Sequence, residues 1–419
     1  VPQSAAARRD VWFGIGVTLF ALVLFCFNIG GPAAPYFDES HYVPAATALL
    51  MRSGPVNIEH PLFAKTLIAG GIWMFGDNAL GWRLPIAACA VGGVASLYWI
   101  GLQLFADRRT ALCATLLVAF NQTYFIQARI AMIDMPMTAF LLLGAGCLLR
   151  GSRAGAGGWP WLYAGAAALG LAIGAKWLAI PYAALFFAGV AWRRWRDSGP
   201  DRAAQRALLV DRVVPDTAKL GATTLGVYLG TFWPAFFYRH GALTLARLPA
   251  FQLDMLAAQR APLASHPYQS AWWQWPLMLR PIWYLFAKTS DSYQAVLLIG
   301  NPVIYWGGLL MVVALCSGWI KLRTPAVMLS VGIYLFSLLV LLIIPKQIGF
   351  FYYYNLSAIA LCLVLAAGFD ALGARGRRWL GWATVASAAM FVYFYPIIAA
   401  LPLPTDDTWT TWVWMKSWY

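Results

Sequence analysis

A succession of apolar runs, each about long enough to cross a bilayer and separated by short basic clusters, constrains this chain more than anything else in it. A hydrocarbon core takes about 20 helical residues to span. Backbone inside it must satisfy its own hydrogen bonds, which favours helices. Charged residues make up 11% of the chain, against about 25% in soluble domains. Hydrophobic residues make up 61%, and the mean hydropathy is +0.65. The expected fold class is therefore an all-α polytopic integral membrane protein. It is read as a single transmembrane catalytic domain over 1–419 with no separate soluble domain.

Eleven spans are expected, at about Val11–Ile29, Gly81–Phe105, Ala111–Phe125, Met135–Leu149, Trp159–Ala175, Leu178–Ala191, Lys219–Phe237, Ala295–Ile320, Pro325–Ile344, Tyr353–Leu372 and Leu380–Leu401. On this path more than half of the 30 Lys and Arg fall on the side of the N-terminus. The positive-inside rule then puts the N-terminus in the cytoplasm and the C-terminus outside. The same clustering accounts for the net charge of +14 and excludes nucleic acid as a partner. Two long outer loops result, at about 30–80 and 238–293. Within the first, Val43–Met51 and Leu62–Phe75 suit helices. They are expected to lie at the interface, with one short span as the alternative. The six cysteines all fall in apolar runs and form no CxxC, so free thiols are expected.

The first outer loop holds both glutamates of the chain, Glu39 and Glu59, and two of its four histidines, His41 and His60. The run Phe37-Asp38-Glu39-Ser40-His41-Tyr42 is its sharpest feature. Asp38 reads as a general base, with Glu39 beside it. The bland alternative is a cap for the helix that follows. Lys65, Arg83, Lys176, Arg280 and Lys346 lie at outer positions where each suits a lipid phosphate or a snorkelling anchor. Arg129 and Asp134 flank a span junction, as functional ionisable groups or as an ion pair with each other. His266 and Tyr268 open an aromatic stretch, 272–276, that suits sugar, prenyl chain or interface. His41, Glu59 and His60 are one alternative site for a divalent metal, but they match no zinc spacing, so no cofactor is expected to be required. Inner loops lack a Gly-rich phosphate cradle, so an activated donor must come from the bilayer.

In this order, the stretches 37–42, Glu59-His60-Pro61-Leu62-Phe63-Ala64-Lys65, Gly81-Trp82-Arg83-Leu84-Pro85, 129–134, 170–177, and His266-Pro267-Tyr268 through Trp275-Pro276 to Arg280-Pro281 resemble the protein O-mannosyltransferases, glycosyltransferase family 39. Gly300-Asn301-Pro302 and 351–354 look similar too. The resemblance implies the GT-C architecture and transfer of mannose, and attack opposite the phosphate would invert the anomeric centre. The donor it implies is polyprenyl-phosphate-mannose; the acceptors are Ser/Thr hydroxyls of exported proteins. It implies Asp38 as base, and the chemistry of transfer from a mannosyl phosphate then suits Glu39 as acceptor-positioning partner. His60, Lys65, Arg83, Arg129, Asp134, Lys176, His266, Tyr268, Arg280 and Lys346 would bind substrate or lipid phosphate. The expected setting is a bacterial inner membrane with an extracytoplasmic active site, and the protein export machinery is an expected associate. Two departures stand out: the usual His-Pro-Pro is His60-Pro61-Leu62, and an expected arginine is replaced by Lys346 or Gln347. Two rival readings are transfer of another prenyl-linked sugar, such as an aminosugar, to lipid A or a glycolipid, and a lipid-linked-sugar flippase.

Overall fold

The computed structural model describes residues 5–196, 209–262, 264–319, 324–344 and 348–419. In chain order its longer elements are α1 (Ala5–Cys26), α2 (Glu39–Leu50), α3 (Phe63–Phe75), α4 (Ala79–Leu104), α5 (Arg108–Ala119), α6 (Gln122–Ala128), α7 (Asp134–Arg153), α8 (Trp159–Ala175) and α9 (Ala179–Arg196). There follow α10 (Val214–Gly230), α11 (Leu248–Arg260), β1 (Ile282–Lys288), β2 (Tyr293–Leu298), α12 (Pro302–Cys316), α13 (Pro325–Ile343), α14 (Asn355–Ala371) and α15 (Gly373–Ile398). Among the described residues six helical stretches are long and apolar enough to cross a membrane. They lie in α1, α4, α7, α13, α15 and the stretch Phe351–Ala371 that contains α14. The count becomes seven if α5 and α6, bent by 64° at their junction, form one span.

Three expectations are corrected here. The third span is not one straight helix. It breaks after Ala119, where Asn121 turns its side chain back to accept from Thr123 N at 3.2 Å and starts α6 as its N-cap. The eighth span does not begin at Ala295. That residue lies in β2, and helix starts only at Pro302, capped by Asn301. The fold is accordingly not all-α: β1 and β2 form an antiparallel hairpin with a register irregularity between Trp283 and Leu285. Aromatic and β-branched residues favour the pleated state there. Thr289, bonded to Ser292, closes the turn. The two helices expected in the first outer loop are α2 and α3.

The chain gathers into two compact units, each drawn from separate stretches of sequence. One comprises Val1–Phe37, Leu104–Arg129 and Pro262–Tyr419. Its centre is α14, buried on nearly every face. Gly368 lets Met311 of α12 close on α14; a Cβ there would meet its sulfur at 2.4 Å. Several buried polar groups of this core are neutral and paired with one another. Tyr334 and Tyr354 hydroxyls meet at 2.8 Å, and Ser337 donates to Ser357 at 2.8 Å. Asn301 Nδ2 donates to the carbonyls of Phe120 and Ser387 at 3.0 and 2.9 Å.

The other unit comprises Asp38–Gln103 and Ile130–Ala261. Here α2 packs on α3, and α8 packs on α7 and α10. Small residues let α7 and α8 touch: a Cβ on Gly144 would lie 3.2 Å from the Gly165 carbonyl.

Candidate active site

Asp38 stands at the N-cap position of α2, but its side chain makes no capping bond. Only its backbone carbonyl serves the helix, accepting from His41 N at 3.0 Å and Tyr42 N at 3.1 Å. Among the described residues the half-buried carboxyl makes no hydrogen bond or ion pair. Burial pushes its pKa up to about 6; Lys176 pulls it down, Asp134 pushes it up and His41 pulls it down. A carboxyl with that titration and nothing bound to it is suited to take a proton near neutral pH. The residue before it, Phe37, has left-handed backbone with φ 51°, a costly conformation for a bulky side chain. Its ring is held by stacking on Tyr284, centroids 3.8 Å apart.

Glu39 meets a different fate. Both it and Arg83 are fully buried, and they form a two-pronged pair: Nε to Oε1 at 2.7 Å and an Nη to Oε2 at 2.8 Å. Glu39 Oε1 also accepts from Ala131 N at 2.9 Å. The expectations of Arg83 at the phosphate and Glu39 at the acceptor meet this geometry: the two charges are paired with each other. What the pair does is tie the start of α2 to α4 and to the turn before Asp134.

Asp134 opens α7, where the helix dipole favours a carboxylate, and Lys176 caps the end of α8, where it favours a cation. The two are nearly buried, and Lys176 Nζ reaches both Asp134 oxygens at 2.8 Å. This corrects the proposed Arg129–Asp134 pair. Arg129 turns instead to the end of α1, donating to the carbonyls of Phe25 at 3.0 Å, Phe27, and Asn28 at 3.2 Å. It also lies over the Phe125 ring. The reason is local: α6 ends at Ala128 and α7 begins at Asp134, so no continuous helix sets the two side chains on one face.

Lys65 is buried and donates to the backbone carbonyls of His60, at 2.9 Å, and Asn57. Gln259 Nε2 holds the Glu59 carbonyl of the same loop at 2.7 Å. His60 is half-buried, its ring 6.1 Å from Tyr42. Among the described residues no three His, Cys, Asp or Glu are placed to hold a metal.

His266, Tyr268 and Arg280 belong to the first-described unit, as does Arg129. His266 and Arg280 line a cavity of about 720 Å³ with Ser265, Pro267, Gln269, Gln274, Leu279 and Ser417. Tyr268 N donates to His266 Nδ1 at 3.2 Å, and Arg280 donates to Pro267 O at 2.9 Å. Lys346 lies outside the described residues.

Two family models match. Residues 75–236 match the dolichyl-phosphate-mannose-protein mannosyltransferase model, and residues 244–418 match the C-terminal four-transmembrane region of protein-O-mannosyltransferase. The chain belongs to the protein O-mannosyltransferase family. It is similar to polyprenol-phosphate-mannose–protein mannosyltransferases of Mycobacterium tuberculosis, at 27% identity over 98% of this chain and 92% of the relative. The Corynebacterium glutamicum protein of the same description is 25% identical over 100% and 95%. Among solved structures it resembles the S. cerevisiae protein O-mannosyltransferase Pmt1-Pmt2 complex bound to the sugar donor, with TM-score 0.80 and 13% identity over 98% of this chain and 93% of that one. ArnT from Cupriavidus metallidurans bound to undecaprenyl phosphate gives TM-score 0.59 and 15% identity over 97% and 68%. The fold is thus of the GT-C type and the protein is a multi-pass membrane protein.

In this mannosyltransferase-family chain the first matched region holds Arg83, Arg129, Asp134 and Lys176, and the second holds His266, Tyr268 and Arg280. Asp38, Glu39, His60 and Lys65 precede both. Sequence reasoning missed Gln259, Gln269, Gln274 and Ser417. Uncharged residues in polar loops carry no signal of their own; only the fold shows what they face.

Proposed function

We propose that this chain is an inverting glycosyltransferase that moves mannose from polyprenyl-phosphate-mannose to Ser/Thr hydroxyls of exported polypeptides. The observation that carries this reading is Asp38, a half-buried carboxyl raised to about 6 that makes no bond among the described residues, in a chain of this family. Asp38 takes the acceptor's proton as its oxygen attacks the anomeric carbon on the face opposite the phosphate. The bond from that carbon to the phosphate oxygen breaks, its electron pair leaves with polyprenyl phosphate, and the configuration inverts. The leaving group needs charge stabilisation rather than a strong acid. Among the cations Lys176 shares the electrostatic surroundings of Asp38, which supports it as the phosphate's neutraliser, held in place by Asp134. Glu39 positions Asp38 by anchoring the start of α2.

The reading places the site on the extracytoplasmic face of the inner membrane, with the N-terminus cytoplasmic and the export machinery nearby. An eleven-span path corresponds to α1, α4, the bent α5–α6 pair, α7 to α10 and α12 to α15, leaving α2 and α3 at the interface. The deciding experiment reconstitutes purified protein with labelled polyprenyl-phosphate-mannose and a Ser/Thr peptide. Labelled peptide is expected, and GDP-mannose without a lipid carrier should give none. Turnover of a prenyl-linked aminosugar onto a lipid, with no peptide product, would overturn the reading.

A further inference from the structure

The cavity beside β1 has a one-sided chemistry. Gln274 Oε1 accepts from Ala271 N at 2.8 Å and Gln269 Oε1 from His266 N at 3.3 Å. Because backbone N–H groups can only donate, the atoms they meet are the amide oxygens, and both amide NH₂ groups remain to donate. His266 Nδ1 accepts from Tyr268 N, so in the neutral ring the proton sits on Nε2. Among the described residues Arg280 spends one N–H on Pro267 O and makes no other bond. Ser265 and Ser417 add hydroxyls. The described lining therefore presents donors, a single formal charge, which is positive, and no carboxylate.

We infer that this cavity receives a carboxylate-bearing stretch of the acceptor polypeptide, so that the enzyme favours hydroxyls flanked by Asp or Glu. The inference rests on the reading of the chain as a protein mannosyltransferase. Carboxylate oxygens and peptide carbonyls are acceptors only, which complements a wall of donors. Ser265, His266, Pro267 and Gln269 are exposed, and Pro267 and Leu279 are the apolar members of the lining. That surface suits a water-borne chain and offers no trough for a prenyl tail.

The test is a set of acceptor peptides with Glu, Gln or Lys at one fixed position beside the Thr, assayed at saturating lipid-linked mannose. Wild-type KM should be about 3- to 10-fold lower for the Glu peptide than for the Gln peptide, and highest for Lys, with kcat little changed. Gln269→Glu and Gln274→Glu keep the oxygens that hold Ala271 N and His266 N but replace a donor with a negative acceptor. Either should abolish the preference for Glu, and the pair should reverse it. In parallel, binding of a fluorescent Glu peptide lacking Ser and Thr is compared with its Gln counterpart by anisotropy on protein in nanodiscs. If no peptide is mannosylated, the functional reading fails while the binding arm still judges the cavity. Equal KM across the series, or equal binding, overturns the inference. So does a rise in donor KM with peptide preference intact, which would assign the cavity to the donor's phosphate.

Discussion

The two units differ in the buried pairs that hold them. Around α14 several buried groups are hydroxyls matched with a neutral partner, as in Tyr334 with Tyr354 and Ser337 with Ser357. In the unit that carries Asp38 the buried groups include two ion pairs: Glu39 with Arg83, and Asp134 with Lys176. Neutral pairs cost less to desolvate than ions, though a member left unmatched still costs stability. Ions are costly to bury, and their removal one at a time is costlier still. The difference teaches where the fold must fix geometry. Ion pairs fix Glu39, next to Asp38 in the chain, and the Asp134 and Lys176 that share its electrostatic surroundings, and among the described residues the Asp38 carboxyl alone of the three carboxyls makes no bond.

The largest effect is expected at the odd member. Asp38→Asn keeps the shape and removes the base, so kcat in single-turnover transfer should fall about 10²–10⁴-fold. The thermal unfolding midpoint above pH 6 should be no lower than in the wild type, since among the described residues the side chain makes no bond and Asn removes a charge that burial disfavours. A near-native rate would transfer the base to another carboxylate and dissolve the contrast. Arg83→Ala, by comparison, strands Glu39 in the core and should cost about 3–5 kcal/mol of stability. Pairing Arg83→Met with Glu39→Gln should recover much of that loss in detergent denaturation. If the double variant is no better than the single, the pair is not what anchors α2.

The pH profile sharpens the same point. A base works ionised, and Asp38 is raised to about 6, so kcat should climb as pH rises through 6 and level above it. Below that point each unit of pH should cost about tenfold. An acid limb near an ordinary carboxyl value would mean that burial does not govern this residue. The smallest effect belongs to the neutral core: Tyr334→Phe leaves the Tyr354 hydroxyl unmatched and should cost about 1–3 kcal/mol with kcat unchanged. A loss as large as that of Arg83→Ala would erase the distinction between the units.

Apolar runs made the helical, membrane-spanning class legible, because length and hydropathy are properties of a segment by itself. The Asp38 loop was legible for a similar reason: titratable groups are conspicuous in a chain this apolar. Pairing was not. Glu39 and Arg83 lie 44 residues apart, and only packing brings them together. Arg129 and Asp134 misled because their spacing assumes a helix that the backbone interrupts. The hairpin was hidden because Val296-Leu297-Leu298 is as apolar as the helix after it, and hydropathy alone does not separate a short strand from a helical turn.

The Lys65 clamp also has a meaning in time. A loop tied by one ammonium to two carbonyls opens only when both bonds release together, and that ammonium sits on α3. Residues 57–60 should therefore exchange their amide hydrogens in step with the first turn of α3. The mostly exposed stretch just before them, 51–56, should exchange sooner and independently.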